Sequence, residues 1–226
     1  GIRDYMVVDA DLVWYGQDLQ MVAERGKDNK PTAYNYNTAS QNHRAYFDHV
    51  KRLTDGKVKR VESKISGITH HMIFKLDVLE ALMKMCEEQN DGEIFWKVLL
   101  KSVDPKAHNS VSEYELYLNY ALIFYPSTVK LRHITFANGP RPGLNSLGGD
   151  ESSPGNWRMV PNGFEKQMAL DKQFGYQYVG YHSYSRRRYY DIPNDAVPIY
   201  CELGARGKRN TQMEKSCTKL SIPEAQ

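Results

Sequence analysis

Apolar and polar positions follow one another in blocks that read by turns as strand and helix. In the opening stretch "DYMVVDADLVWYG", Tyr5 to Val8 is a short apolar run bounded by acidic residues, the pattern of a buried parallel strand. Leu12 to Tyr15 resumes it after the DAD break. Residues 19–25 and 32–37 flank "GKDNKP", a turn-forming cluster that predicts a hairpin. Ser40 is placed to cap a helix running to about Leu53. A short strand is expected over "GITHHMIF" (67–74). Leu76, Leu79, Leu82, Met83 and Cys86 then recur at helical steps, and Phe95 to Leu100 and Tyr114 to Phe124 form two further helical patterns. Pro126 ends the last of them. Val129 to Phe136 reads as a strand, Phe164 to Phe174 as a helix, and "YQYVGYHSY" (176–184) as a closing strand.

Residues 139–163, "GPRPGLNSLGGDESSPGNWRMVPNG", are rich in Gly, Pro and Ser; a loop of this length inside a domain is functional or disordered, and a flexible loop is expected. The segment 191–226 has no clear period and reads as a C-terminal extension to a domain of residues 1–190. There is no internal repeat. The fold class expected from this order is α/β.

Length and charge narrow the function. A chain of 226 residues can bury a substantial core as one large domain or two small ones. A formal net charge of +3 is too small to make nucleic acid or an anionic membrane the main partner. The basic runs "KVKR" (57–60) and "SRRRYY" (185–190) are local and read as solvated surface. No apolar stretch approaches the ~20 residues of a transmembrane helix. Cys86, Cys201 and Cys217 lack metal-ligand spacing and favour a reducing, cytoplasmic setting. The chain enters a strand pattern within three residues and has no initiator Met, so an N-terminal part of the fold is expected to precede it.

The chemistry lies in the DAD break. Asp9 and Asp11, just past an apolar strand, put two carboxylates at a strand end, where open α/β sheets bind ligands. Hard cations such as Mg²⁺ and Mn²⁺ take carboxylate oxygens and bridge them to phosphates. The blander reading makes both aspartates turn residues. Two metal chemistries fit. Haloacid-dehalogenase-type phosphatases carry DxDx(T/V), matched by Asp9, Asp11 and Val13, with Asp9 the nucleophile; their later acidic motif has only "GGDE" (148–151) to correspond to it, with no strand before it. In GT-A glycosyltransferases a DxD pair holds Mn²⁺ or Mg²⁺ against the donor diphosphate, a late His completes the coordination, and an acidic helix start supplies a base. "VGYHSYSRR" offers His182 and "SVSEYELY" offers Glu113 and Glu115.

"VVDADLVW", "THHMIFKLDVLEALM", "FWKVLL", "SEYELYLNYALIFYP" and "YVGYHSYSR" together resemble a family of small GT-A glycosyltransferases found in bacterial surface-polysaccharide gene clusters and in large algal viruses. The resemblance covers roughly residues 4–136 and 165–188. It implies a GT-A-like mixed sheet flanked by helices, here lacking its N-terminal nucleotide-binding strands. It also implies a nucleotide-sugar donor, a glycan or glycoconjugate acceptor and a Mn²⁺ or Mg²⁺ cofactor. Metal ligands are then Asp9, Asp11 and His182, with Arg186 beside the donor phosphates. Glu113 is the expected base of an inverting transfer, although it could merely help cap the helix that starts after Ser112. His71, Glu115 and Trp157 are the acceptor-side candidates; His70 and His71 face opposite ways if both lie on a strand, and His71 is preferred. A catalytically inactive carbohydrate-binding or assembly domain is the reading outside enzymology.

Overall fold

The computed structural model describes residues 4–16, 19–40, 43–107, 110–140, 146–149, 157–159, 172, 175–182 and 189–191. In chain order its elements are strands β1 (Asp4–Val8), β2 (Leu12–Trp14), β3 (Val22–Arg25) and β4 (Pro31–Asn37), helix α1 (Arg44–Leu53), strand β5 (His71–Lys75), and helices α2 (Leu76–Glu88), α3 (Phe95–Lys101) and α4 (Glu113–Phe124). Strands β6 (Val129–Arg132), β7 (Phe136–Pro140), β8 (Ser146–Gly149), β9 (Trp157–Met159), β10 (Tyr178–His182) and β11 (Tyr189–Asp191) follow. The fold class is mixed α/β, built from small mixed sheets and helices. Among the described residues, no helix is long and apolar enough to cross a membrane. The chain divides into two compact units: Gly1–Asp9 with Leu19–Ile134, and Ala10–Asp18 with Thr135–Gln226.

In the first unit, β3 and β4 form the expected antiparallel hairpin, and β6 joins β4 in parallel with Tyr34 opposite Val129. The chain between β4 and β6 carries helices α1 to α4, the length a parallel crossover needs. β1 pairs antiparallel with β5, Asp4 opposite Lys75 and Val8 opposite His71. This corrects the buried parallel strand expected at Tyr5–Val8: its four apolar side chains are 36–41 % exposed. An unbroken apolar run looks the same whether a strand lies inside a sheet or on its margin, and here β5 is the buried member of the pair.

Helix α4 organises this core. Every residue from Tyr114 to Ala121 is buried, so the helix is interior and apolar nearly all round. Tyr114, Tyr117 and Tyr120 recur at three-residue steps. The Tyr117 ring packs 4.6 Å from that of Phe74, and its hydroxyl accepts the Lys75 N–H at 2.9 Å. Val78, Leu82 and Cys86 present the buried stripe of α2, and Val50 and Leu53 that of α1. Each large apolar side chain fully buried in this way contributes about 1.5–3 kcal/mol. Helix α1 ends at Leu53 as its sequence predicts, but it begins after His43 rather than Ser40, and no side chain caps it.

Among the described residues, the second unit holds a four-stranded sheet in the order β11-β7-β10-β2. β10 runs parallel to β7 and antiparallel to β2. Phe136 and Tyr178 stack with centroids 4.8 Å apart, and Trp14 packs on Tyr178 at 4.6 Å. Tyr15 and Tyr181 share a hydroxyl–hydroxyl bond of 2.7 Å. The expected single strand from Val129 to Phe136 is two strands: β6 belongs to the first unit and β7 to the second, with a break at 133–135. Inside the Gly/Pro-rich stretch, β8 and β9 pair antiparallel. The expected helix at 164–174 and the extension 191–226 fall almost wholly outside the described residues.

Candidate functional site

Asp9 directly follows β1, one residue beyond the last β1–β5 pair. Its N–H donates to the His70 carbonyl at 2.9 Å, and the His70 Nδ1–H donates back to Asp9 Oδ2 at 2.9 Å. The Tyr114 hydroxyl donates to the other oxygen, Oδ1, at 3.0 Å. The carboxylate is thus held at both oxygens while its side chain stays 40 % exposed; the His70 side chain is 8 % exposed. His70 has a φ of 62°, a left-handed backbone that costs a non-glycine residue about 1–2 kcal/mol. The bonds to Asp9 hold it there. Burial, then the Asp9 charge, push the Tyr114 hydroxyl well above the usual phenol range, so it stays a donor.

The first turn of α4 supplies a second anchor. Ser112 caps the helix by accepting the Glu115 N–H. The motif S-x-x-E suggests a reciprocal capping box, but the Glu115 carboxylate turns inward. It accepts the Ser66 hydroxyl at 2.5 Å, the Asn119 amide at 3.2 Å and the Gly67 N–H. Burial raises its pKa, and those three donors together with the Arg60 charge pull it back down. Gly67 can approach because it lacks a side chain: a Cβ there would stand 2.9 Å from the Tyr114 carbonyl oxygen. One helix turn thereby holds the 66–67 loop through Glu115 and Asp9 through Tyr114.

Asp11 belongs to the second unit. Its carbonyl accepts the Tyr181 N–H at 2.9 Å, and its Oδ2 accepts the His182 Nδ1–H at 2.8 Å. Two consecutive residues at the end of β10 therefore pin the Asp11 backbone and side chain. His182 is 4 % exposed and Asp11 33 %.

The other candidates fall as follows. Glu113 is the exposed first residue of α4, where a carboxylate suits the positive end of the helix dipole. Its charge, after burial, helps raise the pKa of Tyr46. His71 is 3 % exposed, donates Nδ1–H to the Thr69 carbonyl at 2.8 Å, and is depressed by burial to a pKa of about 4. Glu115 is 1 % exposed, so two of the three expected acceptor-side groups, His71 and Glu115, lie in the core. Trp157 lies on β9, but its side chain is outside the described residues, as is Arg186. Among the described residues no group of three or more His, Cys, Asp or Glu side chains is arranged to hold a metal. The carboxylates of Asp9 and Asp11 have the oxygen chemistry a hard cation takes, whereas His182 already commits Nδ1 to Asp11.

Sequence reasoning weighed His70 only as an acceptor-side alternative to His71 and missed Tyr114. Register, which only the structure gives, brings Asp9 to His70: with Val8 opposite His71, the next residues along are Asp9 and His70. No protein family, curated protein or solved structure matches this chain.

Proposed function

We propose that this chain is a metal-dependent, inverting glycosyltransferase domain of the GT-A type, moving sugar from a nucleotide-diphosphate donor to a glycan or glycoconjugate acceptor. The observation that supports this reading is that both aspartates of DAD are oriented by buried histidines while their carboxylates keep substantial exposure. Ligating carboxylates are commonly hydrogen-bonded from behind.

In this reading Asp9 and Asp11 are the residues that would hold Mn²⁺ or Mg²⁺, and His182 orients Asp11. The ion supplies Lewis-acid neutralisation of the departing diphosphate. Glu113, exposed at the start of α4, accepts the proton of the acceptor hydroxyl as that oxygen attacks the anomeric carbon. The Asp9 hydrogen bonds count against the phosphatase reading: donors from His70 and Tyr114 on its two oxygens make the carboxylate less nucleophilic.

The deciding experiment assays a panel of nucleotide sugars with Mn²⁺ for hydrolysis and transfer, alongside a generic phosphomonoester. The expected result is donor turnover that Glu113→Gln abolishes without loss of donor binding. Turnover of the phosphomonoester with phosphate trapped on Asp9, or no turnover of any donor, overturns the proposal.

A further inference from the structure

We infer that the outer edge of β1 is a self-association surface, on which two copies of this chain pair antiparallel about a two-fold axis at Met6. The inference is independent of the catalytic reading above.

Register fixes which main-chain groups of β1 face outward. The Asp9 N–H bonds the His70 carbonyl, and in an antiparallel pair the bonded residues alternate. Tyr5 and Val7 therefore bond β5, while Asp4, Met6 and Val8 turn their N–H and C=O groups to the other side. The β5 residues opposite Asp4 and Val8 agree. The Lys75 N–H donates to the Tyr117 hydroxyl, and the His71 carbonyl accepts the Thr69 hydroxyl, so neither group is spent on β1. Among the described residues, β1 pairs with β5 alone.

The side chains match the edge. Tyr5, Met6, Val7 and Val8 are all 36–41 % exposed, so the strand shows apolar surface on both faces. Strand edges are normally kept from pairing by a lysine, a proline or a bulge. This run has no charge and no proline, and its register with β5 is unbroken. The Tyr34 hydroxyl bonds Asp4 and holds the start of the strand to β4.

A second copy fits this edge because the edge is self-complementary. Centred on Met6, the antiparallel register sets Met6 against Met6, Asp4 against Val8 and Tyr5 against Val7. The outward-facing residues of the two copies then coincide, and each outward N–H meets an outward carbonyl. No like charges face each other within the run. In the sequence Arg3 and Asp9 flank it, so the same register opposes unlike charges at both ends. Two five-residue edges cover less than the about 1,200–2,000 Å² of a standard interface, so the dimer is one that dissociates on dilution.

The test follows the full chain by sedimentation velocity from about 1 μM to about 1 mM, with amide hydrogen exchange read at both ends of the range. The expected result is a monomer that becomes a dimer as concentration rises. The Met6 and Val8 amides should exchange fast in dilute chain and about 10-fold or more slowly in concentrated chain, whereas those of Tyr5 and Val7 are slow in both. Met6→Pro removes the central outward N–H and none that bonds β5. Met6→Lys sets two ammonium groups face to face across the axis, and keeps the test decisive if proline disturbs the strand. Met6→Lys should stay monomeric throughout with the parent's unfolding temperature, and so should a folded Met6→Pro. Val7→Pro removes an inward donor and should lower the unfolding temperature instead. A parent chain that is monomeric up to about 1 mM overturns the proposal. So does a dimer that persists in Met6→Lys, which puts the contact on another surface, and so does growth beyond the dimer, which a closed two-fold pair forbids.

Discussion

Ser66 donates its hydroxyl to the Glu115 carboxylate across 2.5 Å, inside the core of the first unit, and Gly67 and Asn119 donate to the same group. A buried carboxylate with three donors is a structural clamp, and its removal strands all three. Each buried donor left unpaired costs about 1–3 kcal/mol. Glu115→Ala should therefore lose on the order of 3–5 kcal/mol of unfolding free energy in a denaturant titration. Glu115→Gln keeps one accepting oxygen and should lose roughly half as much. Equal losses would mean that the carboxylate does not act through its acceptors.

Gly67→Ala tests the same junction from the loop side. The added methyl would meet backbone, the Tyr114 carbonyl at 2.9 Å, and the Leu118 side chain at 3.2 Å. Because the first neighbour lies in a helix and cannot rotate aside, overpacking should cost about 1–3 kcal/mol. The companion expectation is slower association with Mn²⁺ or weaker Mn²⁺ affinity, since the loop leads to His70. A fully stable Gly67→Ala would show that the loop can shift off the helix.

His71 makes stability fall with acid. Its folded pKa is depressed from 6.5 to about 4, chiefly by burial. The unfolded chain therefore takes up this proton first, so the contribution is complete above about pH 6.5, declines through the interval, and is gone below about pH 4. The size is at most about 3 kcal/mol for a shift of this extent. His71→Asn, which keeps a donor for the Thr69 carbonyl, should flatten that part of the pH–stability curve. Glu115 acts with the opposite sign: its raised pKa means that acidification through its own interval favours the folded state. A Glu115→Gln chain should then show the steeper acid loss.

His182 predicts a graded result at Asp11. His182→Ala frees the carboxylate that Nδ1 holds at 2.8 Å and should weaken Mn²⁺ binding about 10- to 100-fold. His182→Asn places an amide donor near the same point and should restore much of the loss. A side chain that is 4 % exposed also packs, so thermal unfolding of both variants must accompany the titration. If His182→Asn binds no better than His182→Ala at matched stability, the histidine acts otherwise than by holding Asp11.

Local order was readable along the chain wherever one element carries its own period. The 3.6-residue spacing of α2, and the turn cluster between β3 and β4, need no distant partner to be recognised. Boundaries that depend on a partner were not. The largely alternating apolar and polar residues from Val129 to Phe136 hide a change of sheet, and the apolar run Tyr5–Val8 hides an exposed strand whose neighbour is antiparallel.

The candidate site divides along the same line. Residue type and spacing single out Asp9 and Asp11, because carboxylate oxygens are the ligands that hard cations take. Which groups hold them was decided over separations of 61, 105 and 171 residues, by the His70, Tyr114 and His182 contacts. Strand register chose His70 over its neighbour His71, and helix packing sent Glu115 inward while Glu113 stayed exposed. Periodicity reports which face of an element is apolar, but hydrogen-bond geometry forms only when distant segments meet at fixed distance and angle, and that is a property of the packed chain alone.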